Sequence, residues 1–279
     1  MDLRPHQGIR RHQRRLPELT LPVAGLLDTS RLGLVRRFEA AGFRAWPAAS
    51  VHYDGTWVIR LTAGHTAKRL NSVNPLDPND ARDIAERVAR AARRFEAYGR
   101  PVVFRMSPLA GGALAAHLDA LGWDRFDESL VMAMPLTDET VGTGMDQIPL
   151  KDMNRFVTAA ISVHGSNPAV RPGLSEIINA IEPETGLFVI EDGERPAASG
   201  ICVQDGELAG LFEIATAAGL QRRGHGRRLV LSALKWAKLR GATTAWLQVD
   251  ADNESALRLY RALGFREIYR YHYRRPREG

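Results

Sequence analysis

The stretch Gln221-Arg222-Arg223-Gly224-His225-Gly226 constrains this chain more than any other. It separates an apolar, strand-like run, Leu211 to Thr216, from an amphipathic helix that opens at Gly224. Its glycines let the backbone turn tightly and approach a ligand closely. Amides at the start of a helix have no intrahelical acceptor. The helix dipole puts positive charge at the same end, so the geometry suits phosphate. Arg222, Arg223, Arg227 and Arg228 add charge of the right sign. Two familiar phosphate loops are excluded. A P-loop requires a Lys after its last glycine, and none follows Gly226. A dinucleotide fingerprint requires three glycines and a later acidic residue, and only two glycines match.

A regular order of elements follows the loop. Thr243 to Val249 is rich in β-branched and aromatic residues and predicts a strand. Asp252-Asn253 start a helix that runs through Leu263, with Gly264 as its C-cap. Phe265 opens a last strand-like run, Ile268 to Tyr273. The loop, with its Gln/Arg-x-x-Gly-x-Gly pattern, resembles the pyrophosphate loop of the GNAT acetyltransferases. Asn253, Ala256, Leu259-Tyr260 and Leu263-Gly264-Phe265 strengthen the resemblance, especially to ribosomal-protein alanine N-acetyltransferases. It covers roughly residues 145–275 and is strongest over 209–266.

The resemblance implies an α/β fold of mixed α+β type, acetyl-coenzyme A as co-substrate and a primary amine as acceptor. It implies direct attack of that amine on the acetyl thioester in a ternary complex. Gln221, Arg222, Arg223, Gly224, His225, Gly226 and Arg227 would hold the pyrophosphate. The backbone of Ile214, Ala215 and Thr216 would pair with the pantetheine arm, with Asn253 and Ala256 beside it. The amine must lose a proton, and a carboxylate can take it directly or through water. The departing thiolate needs an acid, and Tyr260 is the residue the resemblance supplies. Tyr260 also fits a core position beside Ala256, Leu259 and Leu263. The chain departs from its relatives at Gln248, where the alanine acetyltransferases carry a catalytic Glu in Trp-Leu-Glu-Val. An amide is no base. Glu213, one strand earlier, is the replacement, unless it is a solvent-facing strand carboxylate.

The first half repeats this order. At a constant offset of 142, Gly99 meets Gly241, Phe104 meets Trp246, and Ala120-Leu121-Gly122-Trp123 meets Ala262-Leu263-Gly264-Phe265. Such a match suggests two copies of one supersecondary unit. The phosphate loop falls on Asn79-Asp80-Ala81-Arg82-Asp83-Ile84, which has lost both glycines and gained two carboxylates. Asn253 meets Gly111 and Tyr260 meets Leu118. The first half therefore resembles a GNAT fold without its cofactor site, as in tandem GNAT proteins such as mycothiol synthase. The expected organisation is a basic disordered tail over 1–20, a degenerate GNAT-like domain over 21–140 and a cofactor-binding domain over 145–279. Each domain would have a central, mostly antiparallel mixed sheet flanked by helices.

Local patterns fill in the rest. Helices are predicted over 26–41, stopped by Gly42, over 84–98 with Ile84, Val88, Ala91, Phe95 and Tyr98 on one face, and over 112–121, 150–162 and 174–181. Strands are predicted over 57–62, 102–106, 130–134, 187–191, 198–204 and 208–216, with turns at Asp192-Gly193 and Asp205-Gly206. The polar stretch Gly64 to Val73 either lines a groove shared by the halves or is a plain loop.

Composition narrows the function class. In 279 residues there is one cysteine, Cys202, which forbids an internal disulfide and fits a reducing cytoplasm. It lies in an apolar run and is expected to pack rather than react. No Cys/His spacing suggests a metal. No apolar run is long enough to span a membrane, and the N-terminus lacks the apolar core of a secretory signal. The formal charge of +6 gathers in RPHQGIRRHQRR at 4–15 and YRRPRE near the C-terminus. Such tails can bind nucleic acid, but the aromatic interleaving of a single-strand binder is missing, so a solvated tail is expected. The acceptor is left open between an amine-bearing small molecule and a protein N-terminus or lysine, and the assembly between monomer and homodimer. The alternative function is a non-catalytic GNAT protein that senses acyl-coenzyme A or docks a partner.

Overall fold

The computed structural model describes residues 29–277. The first half comprises α1 (Thr29–Ala45), β1 (Ser50–Asp54), β2 (Trp57–Leu61), β3 (Ser72–Pro75), α2 (Ile84–Ala97), β4 (Phe104–Met106), α3 (Gly112–Ala120) and β5 (Asp124–Pro135). A short helix, α4 (Asp138–Val141), leads to the second half. There follow α5 (Met153–His164), α6 (Arg171–Asn179), β6 (Glu184–Asp192), β7 (Arg195–Asp205), β8 (Leu208–Thr216), α7 (His225–Lys238), β9 (Thr244–Asp250), α8 (Glu254–Leu263) and β10 (Arg266–Arg275). The basic stretch 4–15 and the start of the first predicted helix, 26–28, lie outside the described residues.

All ten strands join one sheet in the order β1-β2-β3-β4-β10-β5-β9-β8-β7-β6. Only β3–β4 and β8–β9 pair in parallel; the other neighbours are antiparallel. The fold class is therefore mixed α/β with a mostly antiparallel sheet, as expected. The order is a palindrome once each first-half strand is matched with its counterpart five strands later. Paired elements confirm the repeat: α3 and α8 start 142 residues apart, β5 and β10 also 142, α2 and α7 141, and β4 and β9 140. The pseudo-two-fold passes between β10 and β5. Each half gives its last strand to the other: β10 lies against β4 of the first half, and β5 lies against β9 of the second. The sheet thus has no internal edge where the halves meet.

Alternation along the strands builds two cores, one on each face of the sheet. Val131 and Ala133 of β5 and Trp246 of β9 face one way and pack with α1, α5 and α6. Leu130, Met132, Met134, Ala245, Leu247 and Val249 face the other way and pack with α7 and α8. A third cluster packs α2 and α3 on the first-half strands through Val88, Ala91, Phe95, Leu114 and Leu118. Trp46 at the end of α1 stacks on Phe212 of β8 with centroids 5.7 Å apart, and Phe212 meets Trp246 edge-on at 5.5 Å. Each such pair adds about 0.5–1.5 kcal/mol beyond area burial, so this aromatic column ties the first helix to the second half.

Two sequence expectations are corrected in detail. Gly42 does not stop α1, which continues to Ala45. Gly42 instead lets the helix approach β9, since a Cβ there would stand 3.4 Å from both Trp246 and Gln248. The last strand of the first half begins at Asp124 rather than 130, because it pairs with β10 along most of its length.

Candidate active site

The parallel strands β8 and β9 pair over Leu208–Leu211 and Thr244–Leu247 and no further. Beyond that point they part, and a cleft of about 440 Å³ opens between them and the N-terminal end of α7. It is lined by Ile214, Ala215, Thr216, Gln221, Arg222, Gly224, His225, Gly226, Arg227, Asn253, Ser255, Ala256, Leu259 and Tyr260. The expected cofactor residues therefore converge on one cleft, except Arg223. Its guanidinium lies 3.4 Å from Asp192 on the adjacent strand end, and His225 Nε2 lies 3.6 Å from the same carboxylate. Ser255 and Leu259 join the lining although the sequence reading assigned them no role in the cleft.

Backbone conformation explains the loop. Arg222 and Gly224 both have positive φ, 61° and 84°. The first helical amide with a partner four residues back is Arg228, donating to Gly224 at 2.9 Å. The amides of His225, Gly226 and Arg227 thus lack intrahelical acceptors at the positive end of the dipole. Gly226 is required for a different reason: a Cβ there would stand 3.1 Å from Thr216 Oγ1 and 3.7 Å from Leu259, inside the cleft. Arg222 and Arg227 have no carboxylate partner among the described residues, so their charge is available to a ligand. Across the cleft, Asn253 caps α8 by accepting the Ala256 amide at 3.0 Å with Oδ1, which leaves its side-chain amide N–H groups free of that role. Free amides, unpaired guanidiniums and a cradle that a side chain would fill suit a ligand with a phosphate end and a narrow arm.

Tyr260 lies in the wall of the cleft and packs edge-on against Phe265 at 5.7 Å. Burial raises its phenol to about 12. The hydroxyl is therefore protonated at any physiological pH. Tyr260 is both a core residue and a cleft residue, so the two sequence readings are compatible.

Glu213 sits at an irregularity in β8 that the sequence reading did not foresee. Its φ is 50°, and the register with β7 shifts between Ser199 and Ile201. Gly200 stands opposite, where a Cβ would overlap Ile214. A bulge re-aims side chains, and here it separates Ile214, in the cleft, from Glu213, which lines a second cavity of about 530 Å³. That cavity lies between the halves. Gly64, His65 and Thr66 of the first half face Ile161, His164, Asn167 and Leu174 of the second across it. The polar stretch after β2 is thus part of a shared groove. Gly173 of α6 fits so closely against the Gly64 carbonyl that a Cβ could not be added. The Glu213 carboxylate lies 3.7 Å from Arg69 of the first half and 3.9 Å from His164 Nε2, and His164 also meets the Glu213 carbonyl at 3.3 Å. His65 Nδ1 accepts the Ala67 amide at 3.1 Å, and burial lowers the pKa of the ring, so a neutral His65 carries its proton on Nε2.

Gln248 faces neither cavity. It accepts the Tyr271 hydroxyl at 2.8 Å and lines a small internal void with Trp46 and Arg105. Cys202 is fully buried and its thiol is pushed up by burial, as a packing residue should be. Among the described residues no group of His, Cys, Asp or Glu could hold a metal, and no helix is long and apolar enough to cross a membrane.

Comparison with known proteins agrees with this geometry. Residues 160–265 match the Acetyltransferase (GNAT) family. An uncharacterized N-acetyltransferase of Bacillus subtilis is 27% identical over 249 residues, covering 86% of this chain and 98% of that protein. The ribosomal protein bS18-alanine N-acetyltransferase of Salmonella typhimurium is 42% identical over 74 residues, which is 26% of this chain and 50% of the enzyme. A GCN5-related N-acetyltransferase from Kribbella flavida shares the fold, with a TM-score of 0.66 and 18% identity over 88% of this chain and 96% of that one.

Proposed function

We propose, from the premise of an acetyltransferase (GNAT) family domain at residues 160–265, that this protein acetylates the amine of a small molecule from acetyl-coenzyme A. The observation that carries this reading is that neighbouring residues at the β8 bulge line two cavities, Ile214 the cleft and Glu213 the space between the halves. The cleft fits the coenzyme, and the cavity beside it presents a carboxylate to an acceptor. Bound in the cleft, acetyl-coenzyme A would supply the acetyl thioester that the amine attacks. The amides and guanidiniums around Gly224 and Gly226 would hold its phosphates, and Ile214 to Thr216 with Asn253 would line its arm. The Glu213 carboxylate takes the amine proton, directly or through water. The Tyr260 oxygen holds a proton for the leaving thiolate.

The acceptor cavity favours a small molecule over a protein N-terminus. Its volume is in the range of small-ligand sites. The first half closes one side of it, with Gly64 sealed on Gly173. The high-identity match to the bS18-alanine acetyltransferase covers only about a quarter of this chain. One observation favours a non-catalytic acyl-coenzyme A sensor: the Glu213 carboxylate already faces the Arg69 guanidinium at 3.7 Å. A panel of small amines and alanine-terminated peptides, read by thiol release, decides. Amine-dependent release with small amines supports the enzyme. Release only with the peptides would reject the small-molecule acceptor, and binding without any amine-dependent release would establish the sensor.

A further inference from the structure

Where the halves meet, the interior of the protein is charged. Glu39 of α1, Arg60 of β2, Asn74 of β3, Arg105 of β4 and Gln248 of β9 surround a void with Trp46. The centre of a water-sized sphere has about 10 Å³ to move in there, room for one monatomic particle somewhat larger than water. The charges around it do not balance. Arg105 pairs with Glu39, whose other oxygen accepts the Tyr269 hydroxyl at 2.6 Å. Arg60, 3% exposed, donates only to carbonyls, those of Arg69 at 2.7 Å and of Trp46, and lies 4.6 Å from the Phe43 ring. Among the described residues no carboxylate pairs with it. Two buried guanidiniums thus share one buried carboxylate. The strain is visible in Arg60, which burial, then Arg105 and Arg69, lowers to about 9.

The same residues hold unpartnered polar atoms. Trp46 Nε1 and Arg105 Nε are buried donors without an acceptor, and Asn74 Oδ1 is a buried acceptor without a donor. Orphaned donors are expensive, and an uncompensated buried charge more so. A water molecule would answer the hydrogen bonds and leave the charge. An anion answers both donors and the charge, and leaves only Asn74 Oδ1 as it is.

We propose that this void is a binding site for a monatomic anion, chloride in ordinary solution, held by Trp46 Nε1–H and Arg105 Nε–H and balancing Arg60. The site is independent of the acetyl-transfer reading, because none of the residues that hold the ion lines either cavity of the candidate active site. Its effect is on the seam between the two halves.

The test uses the full chain, freed of halide, unfolded thermally in potassium chloride and in potassium gluconate at equal ionic strength. Binding to the folded state alone should raise the midpoint by about 3–6 °C in chloride, climbing with the logarithm of concentration. Gln248→Glu places a carboxylate at the void and should abolish the difference. Trp46→Phe removes one donor and should shift the dependence to at least about fivefold higher chloride. Bromide-soaked crystals should show an anomalous peak in the void. Equal midpoints in the two salts with no bromide peak would overturn the site in favour of water, as would a non-saturating chloride effect of the same size in Gln248→Glu. Should the variants fail to fold, the wild-type titration and the bromide map decide between the same outcomes.

Discussion

The two copies of the repeated unit put opposite chemistry at the same place. In the second copy, the residues before α7 form an open cradle of glycines and free amides. In the first, the corresponding turn before α2 is filled from within. The Asp80 side chain is buried and takes the Thr56 hydroxyl at 2.7 Å and Arg87 at 3.1 Å. Asp83 stands at the N-cap position with φ 48°, and its carbonyl accepts the Arg87 amide at 2.9 Å. Gly111, the counterpart of Asn253, lies so close to Pro78 that a Cβ would stand 2.5 Å from its carbonyl oxygen. In the first copy the protein's own carboxylate fills the turn and its own backbone closes the cleft. The difference teaches that the framework alone does not make a site. The same helix start is left open with free amides or is filled by an internal carboxylate, depending on two or three residues.

The largest effect should come from making the second copy resemble the first. Gly226→Glu fills the cleft and brings negative charge to the helix start. Titration calorimetry should find one acetyl-coenzyme A per wild-type chain and binding at least about a hundredfold weaker in the variant. Its melting temperature should change little, since a side chain there enters the cleft and meets only Thr216 Oγ1, 3.1 Å from a Cβ, and Leu259, at 3.7 Å. Two equivalent sites in the wild type would end the distinction between the copies. Next in size is Glu213→Gln, which keeps the shape and removes the proposed base. Turnover with a good amine should fall about a hundred- to ten-thousand-fold with coenzyme affinity within about threefold. Intact turnover would move the base role elsewhere, with His164 the nearest candidate.

Much of this comparison was legible in the residues. The 142-residue offset, the lost glycines and the two carboxylates stand in the chain and need no coordinates. The exchange of β5 and β10 was not legible. Alternation says which face of a strand is buried and says nothing of its neighbours, and the two final strands are equivalent products of the same repeat. The bulge at Glu213 was equally hidden, because a glutamate carries no mark of positive φ. Gly200, its necessary partner, could have signalled it. Gly42 misled because the same residue that ends helices also permits close packing, and only the neighbouring Trp246 decides which. Arg69 and His65 were visible as a polar stretch, but their place beside Glu213 depends on how the halves dock.

A smaller effect is expected at Tyr260, whose first-copy counterpart is Leu118, a purely apolar core residue. Tyr260→Phe makes the second copy apolar there too. The rate with a good acceptor should fall by at least about tenfold with coenzyme affinity within a few-fold. Because burial raises the phenol to about 12, the wild-type rate should show no loss from phenolate formation between pH 7 and about pH 10. An unchanged rate in the variant would leave Tyr260 as packing alone. A collapse of affinity would make its hydroxyl a ligand for the coenzyme.

The smallest effect is expected from loosening the first copy. Hydrogen bonds from the Thr56 hydroxyl, and then from its amide, with Arg87 beside them, hold the Asp80 carboxyl at about 2, below its unfolded value near 3.9. A carboxyl depressed on folding contributes stability that is complete above the unfolded value and is lost as pH falls through the folded one. Asp80→Asn should therefore destabilise the protein at pH 7 by on the order of 2 kcal/mol. The difference from wild type should narrow from about pH 4 downward and vanish only below about pH 2. Thermal unfolding across that range measures it. A constant difference at every pH would mean that shape, rather than charge, holds the turn. The same variant should not gain a second coenzyme site, because the Pro78 backbone still closes the cleft against Gly111. A second equivalent of acetyl-coenzyme A bound by Asp80→Asn would show that the carboxylate alone had kept the first copy shut.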